Sequence, residues 1–220
     1  ADGLSEVVNY SFMDKKDLEK LNFPWGHKVY NAIPIMNPIS EEYPDMRTTL
    51  LPGLMHTLTY NLSQKNEEAA IFESGHVYLP LTELPYEYEL FSGLLYGSPD
   101  EAGYPNNGRK YDFFDIKAIM ENVLKALGIR DYEIRRSTYP VFHPGISADF
   151  VKDGKTLMSF GQLHPAVLDK WGIKKEVYGF VIFVPHLMNM VDETIDYSRI
   201  PKFPASQRDL SLLVPAHCTN

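Results

Sequence analysis

Few residues in this sequence have a type and spacing that could do chemistry. His143 and His164 each precede a proline, in His-Pro-Gly and Leu-His-Pro, and with Asp149 they form the nearest thing to a metal-ligand or acid–base set. Common zinc sites use tighter paired spacings such as HExxH or CxxC, and neither string occurs. The reading these strings support is a histidine held by a turn so that its ring bonds backbone. No GxSxG nucleophile elbow is present, and Cys218, the single cysteine, has no predicted partner histidine. Gly103 and Gly108 in the stretch GYPNNGRK lack the offsets of a phosphate-cradling loop, so residues 100–110 read as an ordinary polar loop. Glu41, Glu42 and Asp45 crowd one arginine, Arg47, and read as a solvated acidic loop. On residue chemistry alone there is no assignable catalytic, cofactor-binding or metal residue.

The elements that position these residues are easier to read. Asn37 to Leu54 is a proline-punctuated elbow, fed by an extended segment at Ala32–Met36 and leading into a helix that runs to about Gln64. Pro52 suits the first helical turn, where its missing N–H would have no partner anyway. Leu54, Leu58 and Leu62 make one apolar stripe on that helix. Strands are expected at residues 6–12, 70–79, 86–96, 132–138, 146–152, 156–163 and 177–184. The last is so apolar that it reads as central and buried. Short helices are expected at Asp14–Leu21, opened by a capping-box-like Asp14 and Asp17, after Pro165, and at Pro185–Val191. A long helix is expected over Tyr111–Leu127 with Gly128 just beyond its end. His143-Pro144-Gly145 reads as a turn, and Asp153-Gly154 as a two-residue hairpin turn with positive φ at both central positions. The sum is an α+β architecture: an antiparallel or mixed sheet with helices packed on one face.

At 220 residues the chain can bury a core of normal size. No apolar run approaches the ~20 residues needed to cross a bilayer, and the N-terminus has no signal-peptide pattern. A lone cysteine cannot form an internal disulfide and fits a reducing cytoplasm. The formal charge is −8 with scattered basic residues, which argues against a major RNA-gripping surface on this chain.

Several strings together resemble the catalytic-like domain of the β subunit of bacterial phenylalanyl-tRNA synthetases. They are EVVNYSF at residues 6–12, the elbow NPISEEYPDMRTTLLPGL at 37–54, and FESGHVY at 72–78. DFFDIK at 112–117, HPGISA at 143–148, GQLHP at 161–165 and PKFP at 201–204 follow in the family's order. The resemblance implies the class II aminoacyl-tRNA synthetase fold over residues 1–200. It also implies the start of a ferredoxin-like anticodon-binding domain over 201–220, with an editing domain and further small domains upstream in the complete subunit. It further implies a catalytic α subunit as partner in an (αβ)₂ assembly, and ATP, magnesium and tRNA as ligands of that holoenzyme.

Class II catalysis needs an arginine after the motif 2 strand and another at the start of the motif 3 helix. In the matching positions this chain has Leu79-Pro80 and the run Val181 to Leu187, with neither arginine nor glycine. The resemblance therefore implies a scaffold without catalytic, cofactor or metal residues of its own. An active ATP-dependent ligase domain and a histidine-dependent hydrolase are the alternatives. The resemblance places the helix after Pro52 near the class II motif 1 position, which builds subunit interfaces. Met55, Thr59 and Tyr60 are accordingly expected to face a partner subunit, since interface cores favour Met and Tyr over Lys and Glu.

Overall fold

The computed structural model describes residues 3–81, 84–99, 108–192, 194, 206 and 208–211. Along the chain come β1 (Ser5–Glu6), β2 (Phe12–Met13), α1 (Lys15–Glu19), β3 (Asp45–Met46), α2 (Leu51–Ser63), β4 (Ala69–Leu79) and β5 (Tyr86–Tyr96). The second half holds α3 (Phe113–Ala126), β6 (Glu133–Arg136), β7 (Phe142–Lys152), β8 (Lys155–Leu163), α4 (Pro165–Lys170), β9 (Val177–Phe183) and α5 (Val184–Met188). Seven strands form one mixed sheet in the order β1-β4-β5-β9-β8-β7-β6, and β2 pairs with β3 in a separate ribbon. Only β1 against β4 is parallel; the other neighbours are antiparallel.

β9 lies in the middle of this sheet, as its apolar run predicts. Val177 and Val181 point to one face, and Tyr178, Phe180 and Ile182 to the other, all buried. β5 splits in the same way, with Leu90 and Leu94 on the first face and Leu95 on the second. Both faces therefore need a cover, which corrects the expectation of helices on one face. α1, α2 and α4 close the first face through Leu18, Leu54, Leu58 and Val167. α3 and α5 close the second through Ile116, Met120, Leu124 and Leu187. Fully burying each such side chain stabilises the fold by about 1.5–3 kcal/mol.

Several boundaries follow local chemistry that the apolar pattern does not carry. The strand expected at residues 6–12 is two short strands. Between them Asn9 leaves the ladder, because the Glu73 carboxylate accepts both its backbone N–H (3.3 Å) and its side-chain amide (2.7 Å). α1 is shorter than Asp14–Leu21. Asp14 caps it by accepting the Lys16 N–H at 2.9 Å, but Asp17 turns away to Lys20 and His56 and does not complete a capping box. α3 starts at Phe113 because Asp112 and Asp115 form a true capping box, with Asp115 also bonded by Arg109 at 2.7 Å through two nitrogens. The Arg109 bonds are the main reason the Asp115 carboxyl titrates below the usual range.

His143-Pro144-Gly145 is not a turn but an irregular stretch inside β7, whose register against β8 shifts between Phe142 and Ser147. Proline is tolerated at such bulges. The Asp153-Gly154 turn is as expected, with φ of 50° and 73°. α2 begins at Leu51 with Pro52 in its first turn and no side-chain cap. α5 ends at Met188, short of Val191. Of residues 201–220, expected to open a second domain, only 206 and 208–211 are described, and they carry no regular structure. Most of the polar loop at 100–110 and Cys218 lie outside the described residues.

Candidate functional site

The two histidines singled out above are used structurally. His143 Nδ1 accepts the Gly145 N–H at 3.0 Å, and His164 Nδ1 accepts the Ala166 N–H at 3.1 Å as the N-cap of α4. Their rings lie 6.3 Å apart, nearly parallel. Among the described residues no three His, Cys, Asp or Glu side chains gather as metal ligands.

Arg47, the lone cation of the elbow, is a buried strut. Its Nη1 donates to Glu73 Oε1 at 2.6 Å and its Nε to the His76 carbonyl at 2.8 Å. Glu73 holds Asn9, and Asn9 Oδ1 accepts the Thr57 hydroxyl at 2.8 Å, so β4, the segment after β1 and α2 share one network. A Cβ on Gly75 would stand 2.3 Å from Arg47 Nη2, so glycine there makes room for the guanidinium. The acidic loop divides. Glu41 and Glu42 are exposed, but Asp45 is buried and paired with Lys15 at 3.0 Å, which corrects its reading as a solvated residue.

The three residues expected to face a partner are not alike. Met55 is 1% exposed and lies in the core beside Leu54 and Leu58, so it cannot face outward. Its position follows from the helical period: Met55 lies one turn from both Leu51 (four residues before) and Leu58 (three residues after) and shares their inward face. Thr59 is half-buried and donates its hydroxyl to the Met55 carbonyl at 2.8 Å. Tyr60 alone stands out, at 66% exposure.

The positions matched above to motif 2 and motif 3 do meet. Leu79, at the end of β4, and Phe183, Pro185 and His186, at the β9–α5 junction, line a pocket of about 370 Å³ on the first face of the sheet. Tyr86, Tyr88 and Leu90 of β5 and Thr156 of β8 form more of its wall. Phe23, the segment His27–Val29, Thr48 and Thr49 close it from the loops, and Tyr139 completes it. Tyr86 and Tyr88 sit two apart on one strand face, with ring centroids 5.3 Å apart and planes 24° from parallel. Tyr139 packs edge-on against Phe23 at 5.5 Å and against Phe183 at 6.4 Å. Burial drives the Tyr139 phenol far above its ordinary value, and Tyr88 is raised for the same reason, so both stay neutral hydrogen-bonding groups.

The imidazoles are pinned as well. His27 Nδ1 accepts the Val29 N–H at 3.2 Å, and burial, then the nearby Lys28 charge, lowers its pKa. His186 Nδ1 donates to the Thr156 carbonyl at 2.8 Å. Among the described residues lining this pocket there is neither an arginine nor a carboxylate. The sequence singled out Leu79 and the β9–α5 junction but not the aromatic wall. The spacing of Tyr86 and Tyr88 was the available signal, since residues two apart on a strand share a face. Nothing local links them to Phe23 or Tyr139.

A model of the phenylalanyl tRNA synthetase beta chain CLM domain matches residues 1–184. The chain is 34% identical over 216 residues to the phenylalanine–tRNA ligase beta subunit of Clostridium acetobutylicum, covering 96% of this chain and 26% of that protein. It is 32% identical over 222 residues to the beta subunit from Symbiobacterium thermophilum, covering 100% of this chain and 25% of that one. The chain thus spans about a quarter of the length of these relatives. Among solved structures it is similar to pyrrolysyl-tRNA synthetase from Desulfitobacterium hafniense, with TM-score 0.63 and 20% identity over 84% of this chain and 62% of that one. That likeness concerns the fold, a class II synthetase fold.

Proposed function

This chain belongs to the phenylalanyl-tRNA synthetase beta chain family, and from that premise we propose that it serves as a non-catalytic scaffold. In this reading it packs against the catalytic alpha subunit of a ligase that joins phenylalanine to tRNA in the cytoplasm. The observation that carries the reading is the makeup of the pocket at the ends of β4 and β9. Adenylate chemistry must neutralise a triphosphate and position magnesium, which calls for arginines and carboxylates. Where the strand ends converge the chain offers Leu79, Phe183 and Pro185. These residues do not fit ATP with magnesium, so ATP, the metal and the chemistry on tRNA belong to the partner in this reading.

Two measurements test the proposal. The chain alone, with ATP, magnesium and phenylalanine, is expected to show no pyrophosphate exchange above a blank. Exchange that survives removal of contaminating synthetase would restore the active-ligase reading. Immobilised alpha subunit is expected to retain the chain. Tyr60, the one outward residue among the three expected at the interface, supplies the variant: Tyr60→Asp is expected to weaken capture while leaving the melting temperature within a degree or two of the parent. Unaltered capture would remove α2 from the interface.

A further inference from the structure

The pocket between β4, β5 and β9 has a chemistry of its own, to which the scaffold role contributes nothing. At about 370 Å³ it falls at the lower end of the usual range for small-molecule sites, about 300–1,000 Å³. Its flat surfaces are aromatic: the parallel pair Tyr86 and Tyr88, then Tyr139, Phe23 and Phe183. Such walls take a planar ring through offset or edge-on contacts.

Several of its polar groups are already committed. Thr48 donates to the Val29 carbonyl at 2.6 Å, and the Thr49 hydroxyl takes the Leu51 N–H at 3.5 Å. With Nδ1 accepting, a neutral His27 carries its proton on Nε2 and has that N–H as a donor. Among the described residues lining the pocket, Lys28 alone carries a permanent charge, and it is positive. A ligand matched to this set has a ring for the aromatic wall and one anionic group for Lys28 and the His27 N–H. Among the described lining residues an ammonium group would meet no carboxylate, and a polyphosphate would meet only one cation.

We propose that this pocket binds a small aromatic carboxylate that lacks an amino group. The full-length protein carrying this chain, together with its partner subunit, is titrated with fluorinated phenylpropanoate and, separately, with fluorinated phenethylamine. Binding is read by fluorine NMR. The acid is expected to bind saturably and the amine not to bind at this site. Leu79→Trp, which fills the pocket from the end of β4, is expected to abolish binding of the acid at this site. Lys28→Gln, at an exposed position where folding is little affected, is expected to weaken it about three- to fivefold, the scale of a partly exposed charge pair. Tyr86→Ala, at the half-exposed rim, gives a second reading should Leu79→Trp fail to fold, and is expected to weaken the acid as well. Three results overturn the proposal: no saturable binding of the acid, binding unchanged in both Lys28→Gln and Tyr86→Ala, or an amine bound as tightly as the acid in a way these substitutions remove.

Discussion

Arg47 and Asp17 each anchor a charged cluster on the same side of the sheet, and the two clusters are built in opposite ways. The Arg47 and Glu73 side chains are 8% and 3% exposed, and each also bonds a backbone or amide group, so both charges are paired and dry. Asp17 is nearly as buried, but its partners Lys20 and His56 keep 36% and 55% of their side chains in water. Lys20 lies over the Trp171 ring at 4.4 Å and His56 meets that ring edge-on at 4.8 Å, so this cluster clasps α1, α2 and the end of α4 from outside. A dry pair costs a great deal to break, because the survivor is left charged without solvent. A half-wet clasp lets water replace either partner.

The largest effect is accordingly expected from Arg47→Met. It leaves Glu73 buried with only Asn9 for company and should destabilise the domain by about 3–5 kcal/mol. Adding Glu73→Leu should recover a sizeable part of that loss, since the penalty lies in the orphaned charge and not in the missing attraction. Urea denaturation of the parent, both single variants and the double variant measures the coupling. Additive losses in the double variant would show that Arg47 acts through packing alone and would erase the contrast with Asp17.

A middle-sized effect is expected where no charge is involved. Gly154 has φ of 73°, and a Cβ there would meet nothing within 4 Å, so any cost of substitution is backbone strain. Gly154→Val should cost about 1–3 kcal/mol on the same urea axis. The Gly154→Val loss marks the scale of a purely local defect, which the Arg47→Met loss must exceed if a dry ion pair is what holds the elbow. A loss within error of zero would mean that the hairpin opens to another turn type.

The same contrast explains what could be read from the chain. Local signals came through: Pro52 in the first turn of α2, the Asp153-Gly154 turn, and β9 at the centre of the sheet. All three depend on residues adjacent in sequence, where sterics and periodicity act. Signals that failed depended on distant partners. Arg47 was visible as a lone arginine, but Glu73 lies 26 residues on, and nothing local marks it as its counter-charge. Asp17 has the spacing from Asp14 of half a capping box, but one of its two partners, His56, lies 39 residues away. Met55 is hard to place from sequence because α2 has no Asp, Glu, Lys or Arg to mark its wet side, and such a helix gives weak amphipathic contrast. Leu79 and the β9–α5 junction were legible as departures from a motif. The aromatic wall they join was not, since Phe23, the Tyr86 and Tyr88 pair, Tyr139 and Phe183 come from four separate segments.

The smallest effect expected is the pH response of the Asp17 clasp. Burial by itself would raise the Asp17 carboxyl, but hydrogen bonds from His56 and Lys20 more than offset it and bring the pKa below the ordinary 3.8. A carboxylate with a lower pKa folded than unfolded contributes its full stabilisation above the unfolded value. That contribution is lost as pH falls through the folded value. The carboxylate's own share of the stability difference between the parent and Asp17→Asn should therefore be lost as pH drops below about 4. His56→Ala, which removes the more exposed partner, should cost only about 0.5 kcal/mol at neutral pH. It should also narrow the acid window, because part of what lowers the carboxyl goes with it. Urea midpoints for the parent and both variants across the acid range decide the matter. A parent-minus-Asp17→Asn difference that stays flat down to pH 2 would mean the carboxylate is not held charged by its partners. Asp17 would then be a packing residue, and the contrast with Arg47 would be one of size and not of kind.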